Sequence, residues 1–326
     1  MTSGLRLIAA AVLMGTALAA VGHAAAQPYP SRPVRIIVPF PAGGPTDVQS
    51  RILAEKLSQR WQQQVIVDDR PGGNTIIGAV AVAKAVPDGY TLLMAIDSTL
   101  VMNQYLYATL PYDPLKDFAP ITRVVRGTSI LATDTATGPA TIKELVERAR
   151  AKPGTLSFGA GTITTQLAGE MFKQQLGLNI ITVPFKGSAP SVQALLAHDV
   201  SFIVDGLAPS VPHIKSGAFR ALAITGGHHV AALPGVPTLA EAADLPGFDI
   251  ATWQGLMAPA GTPAAAIAIL HDELGRVLAL PEVTDKLATF GLTADPSKTP
   301  DEFAGFIRAE AERWAKVIPT AGIHLD

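Results

Sequence analysis

The stretch Val34–Leu57, VRIIVPFPAGGPTDVQSRILAEKL, decides the fold. The β-branched apolar run Val34 to Val38 predicts a buried strand. Phe40-Pro41-Ala42-Gly43-Gly44-Pro45-Thr46-Asp47 then makes a tight loop, and Val48, Ile52, Leu57 and Trp61 recur on one face of a following helix over Thr46–Trp61. A strand, a glycine loop and a helix start leave backbone N–H groups and a positive dipole end above the sheet. Such a turn binds anions without lysine or arginine.

Outward from this unit, strand and helix signals alternate. Val65–Val67 is a strand, Gly72-Gly73 leads into a small-residue helix at Ile77–Val86 stopped by Pro87-Asp88-Gly89, and Thr91–Ile96 is the next strand. This βαβαβ order predicts a parallel sheet covered by helices. Leu110–Thr122, with Pro111, Pro114 and Pro120, reads as a connection. The pattern restarts with a strand at Ile130–Ala132 and a helix at Thr141–Ala151. The strand Leu156–Phe158 then enters a second glycine loop, Gly159-Ala160-Gly161-Thr162, which opens a helix to Leu176. The strand Ile180–Phe185, the helix Ser188–Ala197, the strand Ser201–Val204 with Asp205-Gly206, the helix Ser210–Ser216 and the strand Arg220–Thr225 complete this block. The end reads as a strand, Ala251–Ala258, and a helix-only tail of Pro263–Leu280, Pro281–Phe290 and Pro300–Ile318, each opened by proline. Such a tail has no α/β core of its own and is expected to pack on the first sheet. The expected domains are therefore 27–127 with 250–326, and 128–249. In open α/β sheets ligands bind beyond the carboxyl ends of the strands, so two facing sheets would aim both glycine loops into one cleft.

The chain has 326 residues, 25 basic against 27 acidic, and no cysteine. Arg6, the small apolar run Leu7–Val21, and Ala24 and Ala26 have the layout of a secretory signal peptide, cleaved after Ala26, with Pro28 and Pro30 just beyond. The run is shorter than the ~18 apolar residues a membrane span needs. A soluble exported protein, in the periplasm of a Gram-negative cell, is expected. The ~300 residues left can bury the cores of two domains. Without cysteine there are no disulfides, no thiol catalysis, no thiolate metal site and no lipid anchor. A slightly acidic chain shows no basic patch for nucleic acid or an anionic membrane surface.

The chemistry-bearing motifs are as informative by their absence. The histidines after residue 26 are His198, His213, His228, His229, His271 and His324, with no pair at helical metal-ligand spacing beside a carboxylate. There is no G-x-S-x-G elbow and no Walker lysine loop, and Gly159-Ala160-Gly161 lacks the third glycine of a dinucleotide fingerprint. Asp68 and Asp69 are strand neighbours and point to opposite faces. No catalytic constellation, cofactor site or metal site is expected.

Nine strings extend these readings: Tyr29-Pro30 with Arg32-Pro33; Pro39-Phe40-Pro41-Ala42-Gly43-Gly44 with Asp47; Arg70-Pro71-Gly72; Pro87-Asp88-Gly89-Tyr90-Thr91-Leu92; Leu110-Pro111-Tyr112-Asp113-Pro114 with Lys116-Asp117-Phe118; Val183-Pro184-Phe185-Lys186-Gly187; Pro212-His213-Ile214-Lys215-Ser216-Gly217; Leu233-Pro234-Gly235-Val236-Pro237-Thr238; and Ala258-Pro259-Ala260-Gly261-Thr262-Pro263. In these residues the chain resembles the solute receptors of tripartite tricarboxylate transporters, the TctC or Bug family. The resemblance implies a type II periplasmic binding protein fold, with two α/β domains, a ligand cleft between them and two crossover segments. It implies a non-enzymatic receptor for small carboxylates, often amino acids, dicarboxylates or aromatic acids, held largely by backbone groups and ordered water; a monomer closing on a carboxylic acid, amino acid or related amide is expected. The partner would be a set of membrane transporter subunits or a sensor.

By the same resemblance the ligand loops are Phe40–Asp47, the segment around Ser98-Thr99, Gly161–Thr165 and the loop starting at Asp205. The candidate contacts are Phe40, Ala42, Gly43, Gly44, Thr46, Asp47, Asp97, Ser98, Thr99, Gly161, Thr162, Thr165 and Asp205. Asp47 is open to two readings, ligand contact or helix cap. Asp205 could receive an amine or only fix its own turn, and Phe40 would wall the cleft. Lys186, beside Gly187, reads as a solvated loop residue. Three places depart from the family pattern. Ile96-Asp97-Ser98-Thr99 brings an acid where small polar residues are usual, which would suit an amine or amide on the ligand. Ile163 replaces a serine, and Gly73-Asn74-Thr75 a more glycine-rich run. Two other readings stand beside the receptor: an exported hydrolase or lyase using the same cleft, and a ligand-sensing partner of a membrane sensor kinase.

Overall fold

The computed structural model describes residues 29–230, 232–323 and 325; the expected cleaved segment, residues 1–26, lies outside them. Residues 29–31 belong to a short N-terminal unit, and residues from Arg32 onward form the other compact unit. That second unit is built from ten strands and eleven α-helices among the described residues.

The first half of the chain begins β1 (Val34–Val38), α1 (Pro45–Trp61), β2 (Val65–Asp69), α2 (Ile76–Ala83) and β3 (Thr91–Ile96). A π-helical turn, Ser98–Met102, runs into the short α3 (Asn103–Leu106), and β4 (Phe118–Asp134) follows. Next come α4 (Ile142–Ala151), β5 (Ser157–Ala160), α5 (Ile163–Leu176), β6 (Ile181–Pro184), α6 (Ser188–Leu196), β7 (Phe202–Gly206), α7 (Leu207–Lys215) and β8 (Phe219–Ile224). The rest is α8 (Leu239–Ala242), β9 (Ala251–Pro259), α9 (Ala264–Leu278), α10 (Pro281–Thr289), β10 (Leu292–Ala294) and α11 (Pro300–Ala321).

The strands pair in the order β2-β1-β3-β9-β4-β7-β5-β6, with β10 and β8 also on β4. β1 is parallel to β2 and β3, and β5 is parallel to β6 and β7. β4 joins the two groups. Its residues 118–128 pair antiparallel with β9, and residues 129–134 pair with β7 on one edge and β8 on the other. One strand therefore serves two sheet halves, switching between Thr128 and Ser129.

The central strands are continuous apolar runs because both faces are covered. All of Leu92–Ile96 in β3 is buried. One apolar core runs through both halves, from Leu93, Leu100 and Met102 to Phe158, Leu167 and Phe172, with Trp253, Phe303 and Trp314 between. Phe158 stacks on Phe202 at 5.6 Å and 21°. A second cluster, with Ile130, Leu195, Ile203 and Ile224, lies in the second half. Threonine caps four helices: Thr141, Thr162, Thr238 and Thr299 each accept a backbone N–H three residues on.

Several expectations need correction. Leu110–Thr122 is not all connection: β4 starts at Phe118 and takes Pro120 in stride, because the register against β9 shifts between Pro120 and Thr122 and spares the missing N–H. The tail is not purely helical, since β10 pairs with β4. Gly159 and Ala160 belong to β5 rather than to a loop, α2 ends at Ala83, and α7 begins directly after β7 at Leu207. On α1 the fully buried positions include Gln49, Ser50 and Leu53, while Val48 and Trp61 are half-buried. Gln49 Nε2 donates to Gln254 Oε1 on β9 at 2.8 Å. No helix among the described residues is long and apolar enough to cross a membrane.

Candidate functional site

In both halves the parallel strands end in helix starts. β1 leads to α1, β3 to the π turn, β5 to α5, β6 to α6 and β7 to α7. Each start carries N–H groups without an intrahelical acceptor and the positive end of a dipole.

The loop after β1 holds itself open. Gly43 has φ +82°, where a side chain would be strained, and faces open space. Its N–H donates to Asp47 Oδ2 at 2.7 Å. The N-cap Gly44 offers no side chain, Pro45 has no N–H, and the first intrahelical bond is Val48 N–H to Gly44 O at 3.0 Å. Thr46 and Asp47 thus supply the free first-turn amides. Ala42 and Gly43 are exposed, Phe40 and Gly44 half-buried, and the Thr46 and Asp47 side chains buried. Asp47 is braced by Arg51 Nε at 2.7 Å, and the same guanidinium reaches Asp69 Oδ2 at 2.9 Å. Burial, then the like charge of Asp47, holds the Asp69 carboxyl above its ordinary range. Asp68, pointing the other way, pairs with Arg35 and Arg70.

The exit of β5 is tighter. Thr162 and Thr165 form a reciprocal capping box: Thr165 N–H donates to Thr162 Oγ1 at 3.2 Å and Thr162 N–H to Thr165 Oγ1 at 3.1 Å. Replacing Thr162 by alanine removes one acceptor and is expected to cost about 1 kcal/mol in urea unfolding; an unchanged midpoint would show that the cap is dispensable. Gly161 is buried against the start of α6, and Gly187 N–H donates to Gly161 O at 3.0 Å. Beneath lies Asp205, fully buried. It accepts the Ser188 hydroxyl and, at 2.7 Å, the Gly206 N–H. Burial pushes its carboxyl up, opposed by donors at Ser188, Ser191, Gly206 and Gly161. Asp205 therefore ties the starts of α6 and α7 together, and the Gly187–Gly161 bond joins α6 to the entry of α5.

The exit of β3 is the most enclosed part. Thr99 Oγ1 donates to Thr75 Oγ1 at 2.8 Å, and Tyr112 OH donates to Thr99 O at 2.7 Å. Asn74 and Asn103 bond each other, Asn103 reaching Asn74 O at 3.0 Å. Burial holds the Tyr112 hydroxyl well above the usual phenol range. Ser98 Oγ is buried without a partner. Asp97 is 1% exposed and accepts Ser98 N–H at 2.7 Å. It also accepts the Thr164 hydroxyl at 2.9 Å, which joins the exit of β3 to the first turn of α5. Burial raises the Asp97 carboxyl to about 7, against the pull of Thr164 and of the backbone amides of Ser98 and Trp253, while Glu310 adds a like charge.

Residues 49–323 match the tripartite tricarboxylate transporter family receptor, TctC. The chain belongs to this family. It is 36% identical to protein BugT of Bordetella pertussis over 319 residues, 96% of this chain and 97% of that one. The structure of R. palustris Rpa4515 with adipate superposes with a TM-score of 0.85 at 34% identity, covering 91% of this chain and 99% of that one. MatC from Rhodopseudomonas palustris with bound malate gives 0.80 at 28% identity, covering 89% and 100%. The mixed α/β architecture of this TctC receptor is thus that of the family's periplasmic binding proteins.

Within this receptor the structure brings Asp97 to the first turn of α5 and Gly161 to the start of α6, while Phe40–Asp47 forms a separate segment, exposed at Pro41–Gly43 and braced to β2 through Arg51 and the buried Asp47. Sequence reasoning missed Thr164, which hydrogen-bonds Asp97 across the two halves, although it lies within the Gly161–Thr165 loop. It also missed the Asn74–Asn103 pair. Among the described residues no group of three or more His, Asp or Glu could hold a metal ion.

Proposed function

We propose that this TctC receptor captures a small carboxylate-bearing solute between its two sheet halves and delivers it to membrane transporter subunits. The observation that carries this reading is the set of helix starts at the strand exits of both halves, where backbone N–H groups are available to an anion. The adipate and malate held by family relatives support a carboxylate ligand. In this reading the carboxylate meets the loop Phe40–Asp47 and the start of α5 at Gly161–Thr165. The lobes are 27–127 with 250–326, and 128–249; the switch in β4 pairing at Thr128/Ser129 supports that division. Hinge motion at the crossovers closes them. The receptor is a binder rather than a catalyst, exported as a monomer to the periplasm after loss of residues 1–26.

A thermal-shift screen with adipate, malate, amino acids and their amides tests it. A solute at a hundredfold its dissociation constant stabilises by ~2.7 kcal/mol, a rise of several degrees in melting temperature. No shift with any of these acids or amides, together with a shift from a divalent metal, would overturn the reading.

A further inference from the structure

We propose that Asp97 links solute capture to a proton: as the two halves close, Asp97 is enclosed against Thr164 and takes up a proton. This rests on the reading that the halves close around a solute.

The geometry is that of a carboxyl group with half its needs met. Asp97 follows β3 in the first half, and Thr164 belongs to α5 in the second. Their bond, Thr164 Oγ1 to Asp97 Oδ1 at 2.9 Å, and the Ser98 N–H at 2.7 Å both fall on one oxygen. The other oxygen, Oδ2, is buried and makes no hydrogen bond of normal geometry; neither does the neighbouring Ser98 Oγ. No cation is bonded to Asp97: it is faced by neutral Thr164 from α5, Met102 (its sulfur 3.8 Å from Thr164 Oγ1) from the π turn, Trp253 from β9, and, from α11, the like-charged Glu310, whose own partner is Arg313 at 3.3 Å. A carboxylate enclosed with one oxygen unbonded and no cation paired to it is costly, and the neutral acid fits the space better.

When the halves part, water reaches Asp97 and restores an ordinary carboxyl. The closed form therefore binds the proton more tightly than the open form. Its advantage is complete below the ordinary aspartate range, declines as pH rises, and is gone above about 7, the value for the enclosed group. Lower pH favours closure. Between pH 8 and pH 6 the closed-to-open ratio, and with it the affinity of a mostly open receptor for a captured acid, should rise by about tenfold.

The test needs no knowledge of the natural solute. The chain has no cysteine, so spin labels at K116C and K152C report the separation of the halves without interference. In wild type the short-distance population should grow as pH falls from 8 to 5.5. Asp97→Asn, neutral and of similar shape, should abolish the pH dependence. Thr164→Val removes a donor that favours the charged form, so it should move the midpoint upward. Identical pH profiles in wild type and Asp97→Asn would overturn the proposal. Titration calorimetry with adipate and malate at pH 7, in two buffers of different ionisation enthalpy, adds the second readout. Wild type should take up a fraction of a proton per solute bound and Asp97→Asn none; equal uptake by both would again overturn it. If neither acid binds either protein at any pH, those acids fail as ligands, while the spin-label profiles still decide the role of Asp97.

Discussion

Gly161→Ala should destabilise the protein by about 3 kcal/mol and weaken any carboxylate it binds by more than tenfold. A Cβ at Gly161 would stand 2.6 Å from the Ser188 nitrogen and 2.7 Å from the Gly187 carbonyl carbon. Both are backbone atoms, so no rotamer change relieves the contact and the start of α6 must move away from the exit of β5. That displacement strains the Gly187 N–H to Gly161 O bond and the Asp205 bonds on Ser188 and Gly206. Gly177→Ala is the control. Gly177 caps α5 with φ +62°, and a Cβ there would meet nothing within 4 Å, so the variant carries only the left-handed penalty of about 1–2 kcal/mol. Urea unfolding of both variants checks the account, which fails if Gly161→Ala costs no more than Gly177→Ala.

Trp253→Ala should cost about 3–5 kcal/mol. The indole is fully buried on β9 opposite Arg126 and meets Phe303 and Phe306 edge-on at 5.9 and 5.1 Å. It fills the space where the first sheet hands over to the second, so the cavity left behind has walls from β9 and α11 that cannot both collapse. Its Nε1 has no hydrogen-bond partner. Trp253→Phe should therefore cost far less than the alanine variant, because the smaller ring gives up contacts but also removes a buried donor worth about 1–3 kcal/mol when unsatisfied. Equal losses for the two variants in urea unfolding would show that ring packing is not what Trp253 contributes.

Where the chain states its structure locally, the sequence is readable. β1 and β3 have the predicted bounds because apolar runs end sharply at proline, glycine or aspartate. β4 is half hidden because its polar positions find distant partners. Arg123 pairs with Asp295 at 2.8 Å, 172 residues away, and lies 4.5 Å over the Phe306 ring. Read locally, Pro120 places Leu110–Thr122 in a connection, and Arg123 and Arg126 give no strand signal before Ile130. Gln49 is similar: polar in a helix face, it is buried only because Gln254, 205 residues on, receives it. At the candidate site the glycine loops and Asp97 stood out as composition anomalies. Thr164 did not, since Thr162 and Thr165 already explained a threonine-rich helix start and nothing nearby named Asp97 as its acceptor.

The place of β9 has a consequence for how the chain acquires its structure during synthesis. β9, residues 251–259, lies between β3 and β4. The first sheet therefore keeps a gap in its middle until more than three-quarters of the chain exists, whereas β4 to β8 already contain every strand of the second sheet. The later-made sheet can close first, and the earlier-made one waits with two apolar strand edges unpaired. Long-range pairing of this kind is slow and exposed to aggregation, so a nascent chain halted before Ala251 should depend on holding factors that the finished protein no longer needs.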